Sequence, residues 1–288
     1  MRAHDYIINK QTSWAANNGI KLIGSKGPKG VKNYSPELSL NIFEPLLPEV
    51  RDSFLQGDGN EILGAPDKPA KMQAVHSSSV LGVNIFHYWQ RIGKVSEIAA
   101  ACGFCNQGND VSKKIIFEDK YPIDPAFSFP PNIDVVFHNK STSKYKCFAV
   151  ECKFSEAYGT MGHGSLKPAY LKIESIWRDI PNLKNLAESI SPEDNQFRFL
   201  HPSQLIKHIL GLKRAFGKSS FRLLYLWYDV LGKEGAIHQE EIDAFSRVTQ
   251  ADNIKFHALT YQELISKLNK RYRQEHEAYI SYITERYL

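Results

Sequence analysis

Two carboxylates and one lysine carry the most chemical promise in this chain of 288 residues: Asp134, Glu151 and Lys153. All three fall in Pro131 to Tyr158, PNIDVVFHNKSTSKYKCFAVECKFSEAY, which reads as two strands, Ile133–His138 and Lys146–Phe154, around a polar turn. Alternate residues of a strand share a face, so Glu151 and Lys153 point one way and Val150, Cys152 and Phe154 the other. Pairing of the two strands can bring Asp134 beside Glu151. Charges set into an apolar strand carry a desolvation cost that something must offset. The plain explanation is a structural ion pair at a sheet edge. The chemical one is a site for a divalent cation. Two carboxylates and a backbone carbonyl give Mg2+ the hard oxygens it takes while keeping several waters. Such an ion acidifies a bound water and polarises a phosphodiester. A lysine alongside can orient that water and steady charge growing on phosphorus. Without metal, the carboxylates would hold the ammonium.

These groups need a sheet beneath them and helices around it. SSSVLGVNIFHYWQRI, from Ser77, reads as a largely buried helix with a hydroxyl at its N-cap. KVSEIAAACGF is a second short helix that Gly103 can end, and KKIIFEDKYPI a strand. The connection from Ser155 to Pro202 begins with the glycine-rich SEAYGTMGHGSLKP, a plausible substrate-engaging loop. KPAYLKIESIWRDI and IPNLKNLAESI within it read as helical. HPSQLIKHILGLKRAF is a helix with Leu205, Ile206, Ile209, Leu210 and Leu212 on one broad face and Gln204, Lys207, His208 and Gly211 opposite, where a solvated surface is the ordinary reading. FRLLYLWYDV is a buried strand, IHQEEIDAFSRVTQ a helix, NIKFHALTY a strand and the tail from Tyr261 one long helix. Residues 1–75 look irregular, with GSKGPKGVKNYSP as a loop whose Lys26, Lys29 and Lys32 could meet phosphates. The expected fold is mixed α/β, a central mixed β-sheet flanked by helices, with residues 1–75 an irregular extension packing on a domain of residues 76–288.

A hydrophobic share of 42% and a charged share of 23% fit an ordinary globular chain, and a net charge of +5 is compatible with a polyanionic partner. No apolar run is of bilayer length, and MRAHDYIINKQTSWAANNG lacks the apolar core of a secretory signal, so no membrane partner and a cytoplasmic location are expected. Cys102 and Cys105 form one CxxC, whereas Cys147 and Cys152 point to opposite faces of one strand, so free thiols are expected rather than zinc. No basic residue adjoins Cys102 or Cys105 to activate a thiolate. His76, His163 and His208 read as surface or hydrogen-bonded histidines.

PNID, sixteen residues, then ECK resembles the PD-(D/E)xK nuclease superfamily, with the first element loosened to PxxD. HSSSVLGVNIFHYW, HPSQLIKHILGL and YISYITERYL resemble a bacterial, restriction-endonuclease-like branch of it, which extends the likeness over residues 55–288. The resemblance implies a restriction-endonuclease-like core, helix, three strands, helix and strand (αβββαβ), between Ser77 and Asp229. It also implies that Asp134, Glu151 and the Cys152 carbonyl bind metal, that Lys153 is catalytic, and that Gln204 and Lys207 assist from the following helix. A further acid from the N-terminal side is assigned to Glu61 in GDGNEI, with Glu97 behind it, and Glu156 stands near as a surface acid. The implied activity is a Mg2+-dependent deoxyribonuclease of restriction or defence type in which Mn2+ can substitute. Alternatives are a repair or junction-resolving nuclease and a catalytically silent DNA-binding module. No separate reader of base sequence is visible, and DNA versus RNA stays open. A cutter of both strands would act as a homodimer.

Overall fold

The structure, a computed structural model, describes residues 1–26, 29–57, 61–65, 68–159 and 164–288. The N-terminal part is more regular than its sequence pattern indicates. It holds a helix α1 (Ala3–Asn17), an antiparallel pair β1 (Ile23–Lys26) and β2 (Lys29–Tyr34), and a helix α2 (Pro48–Gln56). Helix α1 is obscured in the sequence because its inward stripe, Ala3, Ile7, Trp14 and Ala15, is interrupted by a buried Gln11. GSKGPKGVKNYSP reads as a loop for want of β-branched residues, yet its two halves pair; Gly27 and Pro28 lie outside the described residues.

Helix α3 (Ser78–Arg91) starts at Ser77, whose hydroxyl accepts the Val80 N–H at 3.4 Å, and α4 (Val95–Ala101) follows. Strands β3 (Ser112–Lys120), β4 (Asn132–Asn139) and β5 (Cys147–Lys153) form an antiparallel meander. Helices α5 (Pro181–Ser189) and α6 (Pro202–Phe216) lead to β6 (Phe221–Trp227), then α7 (Lys233–Ala251) and β7 (Phe256–Thr260). Strands β5, β6 and β7 are parallel, so the sheet is mixed, in the order β3-β4-β5-β6-β7. The expected order of helix, three strands, helix and strand is present. The segment KPAYLKIESIWRDI is not helical beyond two single turns, Pro168–Tyr170 and Glu174–Trp177. It folds back on itself, the Trp177 indole donating to the Tyr170 carbonyl at 2.9 Å. The tail is two helices, α8 (Tyr261–Tyr272) and α9 (Glu277–Tyr287). Its apolar stripe passes smoothly from Tyr272 to Tyr279, so periodicity hides the break. His276 makes it, docking its ring 2.8 Å from the Tyr88 hydroxyl. Among the described residues no helix is long and apolar enough to cross a membrane.

Every residue of β5 is buried, as a strand covered on both faces must be. Helix α3 lies on the Cys152 face: a Cβ added at Gly82 would stand 3.5 Å from Cys152 Sγ. Helix α6 lies on the opposite face, over Glu151 and Lys153. It comes close because position 211 is glycine; a Cβ there would stand 2.5 Å from the Tyr121 carbonyl oxygen, just beyond β3. Leu223, Leu224 and Leu226 are completely buried in the core around β6, each worth about 1.5–3 kcal/mol in removed apolar surface.

The two ends of the chain meet at Arg286, which is completely buried. Its guanidinium donates to Gln11 Oε1 (3.0 Å), the Asn41 carbonyl (2.8 Å), Asn41 Oδ1 (2.5 Å), the Tyr282 hydroxyl (2.6 Å) and the Val75 carbonyl (3.3 Å). Its face lies 4.1 Å from the Trp14 ring centroid. All four cysteines are free thiols, with Cys102, Cys147 and Cys152 buried, and burial pushes each of those three thiols up.

Candidate active site

Strand register fixes where the charged side chains meet. Phe117 pairs with Val135 and Asp119 with Ile133, so Glu118 lies opposite Asp134. The last pair between β4 and β5 is Val135 with Val150, and one step further Asp134 comes level with Glu151. Glu151 in turn pairs with Tyr225. Glu118, Asp134 and Glu151 thus form one row across three strands. Beyond that row β4 and β5 part, and the Cys152 N–H donates to Asp134 Oδ2 at 2.6 Å instead of continuing the ladder. The N–H and C=O of one residue in an extended strand point to the same side, so the Cys152 carbonyl faces the same gap.

Glu118 was missed in the sequence, where FED in KKIIFEDK reads as ordinary strand surface. Only pairing register singles it out. It is also one of the few non-glycine residues in the left-handed region, at φ 55°, a conformation that costs on the order of 1 kcal/mol or more. That kink in β3 sits at the row of acids.

Lys153 Nζ stands 2.6 Å from Glu151 Oε1 and donates to Gln204 Oε1 at 2.9 Å. The contact with Glu151 is an ion pair without hydrogen-bond alignment, and Glu151 Oε1 is a buried oxygen with no hydrogen-bond partner. Glu151 Oε2 is held at 2.7 Å by His208 Nε2, which carries the proton because a carboxylate only accepts. Burial alone would raise the Glu151 pKa, but the Lys153 ammonium and His208 outweigh it and hold the carboxyl at about 2. Burial would likewise push Lys153 down, but Glu151, Glu156 and Asp134 keep its ammonium above the ordinary lysine value. One cation cannot serve the whole row. Burial, then repulsion from Glu151 and Glu118, raises Asp134 well above the usual carboxylate range. Burial, with Glu61 and Glu151 nearby, raises Glu118 to about 7, against a weak bond from Asn132 Nδ2 at 3.3 Å.

Helix α6 supplies the rest. Gln204 and His208 are one turn apart on the same face, so a single helix reaches both Lys153 and Glu151. The face expected to be solvated is therefore turned inward: His208 is 1% exposed and Gly211 is buried against Tyr121. Lys207 does not touch Lys153 or Glu151 through any hydrogen bond; it lines an adjoining cleft. Burial, then the neighbouring Lys167, lowers its pKa.

The other acids divide. Glu61 accepts from Ser79 Oγ (3.1 Å) and Lys71 Nζ (3.3 Å) at the start of α3, close enough to influence Glu118 but two contacts removed from Glu151. Glu97 is on α4, 3.8 Å from Lys94, at the other end of the sheet. Glu156 is exposed and accepts the Phe154 N–H with both oxygens at 3.3 Å. His76 is half-buried, and its pKa falls to about 4 through desolvation and the nearby His4. His163 and most of the glycine-rich loop around it, residues 160–163, lie outside the described residues, as do residues 58–60 of GDGNEI and the side chain of Lys29.

Among the described residues no group of three or more His, Cys, Asp or Glu side chains forms a ready cation cage. Asp134, Glu151 and the Cys152 carbonyl are the oxygens that could hold Mg2+, an ion that needs few protein ligands. The chemistry fits: hard donors, mutual repulsion in Asp134, and a buried Glu151 oxygen lacking a hydrogen bond.

No curated protein and no solved structure matches the chain. A family model described as "Restriction Endonuclease associating with ARP" matches residues 9–288. The chain belongs to that restriction endonuclease family.

Proposed function

We propose that this restriction-endonuclease family member hydrolyses DNA phosphodiester bonds with Mg2+, by attack of water, in the manner of the PD-(D/E)xK nucleases. The observation that carries the reading is the row of Glu118, Asp134 and Glu151 across three strands, in which Lys153 pairs with Glu151 while burial and mutual repulsion raise the other two acids, a surplus of negative charge that calls for a cation. A divalent ion held by Asp134, Glu151 and the Cys152 carbonyl would supply an acidified water and an electrophilic neighbour for the phosphate. The chain's own residues do the rest. Lys153, shared between Glu151 and Gln204, turns its ammonium to the phosphate and stabilises charge in the transition state. Gln204 limits where Nζ can go. His208 keeps Glu151 from rotating out of the gap. Mn2+ is expected to substitute, and a defence role is favoured over repair by the family alone.

The test is cleavage of supercoiled, linear and single-stranded DNA with Mg2+, with Mn2+ and in EDTA. The family's description names ARP as an associate, so the assay is run with and without it. Glu151→Ala and Lys153→Ala should each lower the rate by about a hundredfold to a thousandfold or more. Wild type that cuts nothing in any arm, or Glu151→Ala that cuts normally, would overturn the proposal. A silent DNA-binding module would instead bind DNA with no Mn2+ affinity dependent on Asp134 and Glu151.

A further inference from the structure

Beside the acidic row lies a cleft of about 590 Å3, between the residues preceding β4 and the start of α6. Its floor is shared with the site, since Gln204 and His208 line it while touching Lys153 and Glu151. Its walls have a different character. Among the described residues no carboxylate lines the cleft, whereas Lys167 and Lys207 both do. Lys207 is half-buried and has neither a hydrogen bond nor an ion pair among the described residues. An ammonium left that way is unfavourable unless an anion visits it. The N-terminus of α6, a helix of 15 residues with no acid in its first turn, adds its dipole to the same space.

The rim adds a flat apolar surface. Phe129 is 80% exposed, on the loop between β3 and β4. Pro130 and Pro131 follow it and restrict the backbone that holds it out. Its neighbour Phe127 is already stacked on Tyr170, with ring centroids 4.0 Å apart, so Phe129 is the ring left free to meet a ligand. A cation-lined recess with an aromatic edge matches a phosphate joined to a planar base, and the volume falls in the range that small ligands occupy, roughly 300–1,000 Å3.

We propose that this cleft receives one unpaired nucleotide of the DNA strand, next to the bond being cut, with its phosphate against Lys207 and Lys167 and its base on Phe129. This rests on the nuclease reading and narrows its substrate. A base inside an intact duplex cannot reach the ring, so the strand must be single, mismatched or locally opened at that nucleotide.

The experiment measures DNA binding by fluorescence anisotropy in EDTA, which separates it from catalysis. The probes are a labelled single strand, the same strand with an abasic position scanned along it, and a perfect duplex. Wild type should bind the single strand more tightly than the duplex, and one abasic position should weaken it. Phe129→Ala should reduce single-strand affinity about fivefold or more while leaving duplex binding unchanged. Lys207→Gln should lower the slope of log affinity against log salt by about 0.7 for the single strand. Phe129 is so exposed that its variant should fold as wild type does. Unchanged affinity in Phe129→Ala, or a duplex bound as tightly as the single strand, would overturn the subsite and leave the nuclease reading standing. No binding of either probe by wild type would likewise overturn the subsite, while cleavage with Mg2+ remains the separate test of the nuclease reading.

Discussion

Arg286 and the C-terminal end of β5 are both buried and charged, and the chain treats them in opposite ways. Among the described residues Arg286 has no acid against it, yet its five N–H donors meet five acceptors and its face rests on Trp14. At β5 the opposite charges are present but unevenly matched. Three acids stand in one row and Lys153 pairs with one of them, Glu151 Oε1 lacks a hydrogen bond, and Glu118 sits in the left-handed region. The same sequence can therefore satisfy a buried charge in full. Where it does not, the unmet demand marks a place for something else to bind.

Substitutions can break that comparison. The largest expected effect is at Asp134. Asp134→Asn keeps an acceptor for the Cys152 N–H but removes one of the repelling charges, so cleavage should fall about a thousandfold while the metal-free protein melts higher than wild type at pH 8. A lower melting temperature would mean that the row of acids is structural. Next is Arg286→Met, which leaves Gln11 Oε1 and Asn41 Oδ1 buried and without the donor they now have. Urea unfolding should show a loss of about 3 kcal/mol, with the cleavage rate of the folded fraction unchanged. Loss of turnover without loss of stability would erase the contrast.

The smallest effect is a pH slope from Glu118. Its carboxyl titrates near 7 in the folded protein against an ordinary 4.5, so between those values the folded state binds the extra proton. Stability of the metal-free protein should fall as pH rises from about 4.5 to 7 and level off above. The contribution is about 1–2 kcal/mol once partial exposure is allowed for. Glu118→Gln should flatten that slope in melts across the range; a slope left intact would place its origin elsewhere.

What was legible in the sequence follows from how far each contact reaches. Glu151 and Lys153 are two residues apart on one strand, so alternation alone puts them together, and Asp134 follows once the strands pair. The αβββαβ order was legible because α3, β5, α6 and β6 each carry a clear apolar pattern. Glu118 was not, because its role depends on register with β4 and on a kinked φ that no local residue type announces. His208 was discounted because a polar helix face usually meets water, and nothing in HPSQLIKHIL says that a carboxylate lies opposite. The N-terminal helix was hidden by Gln11, whose reason for being buried, Arg286, is 275 residues away.

Gly211 gives α6 a mechanical part to play. It lies seven residues from Gln204 and three from His208 along one rigid rod, so about 10 Å and 5 Å of helix separate the Tyr121 contact from the groups that hold Lys153 and Glu151. A methyl group at that point would act as a shim, lifting the rod and widening the gap above the sheet with every reacting residue intact. Gly211→Ala, the kind of exchange chosen to stiffen a helix, should silence cleavage in a plasmid-nicking assay while circular dichroism reports a folded protein.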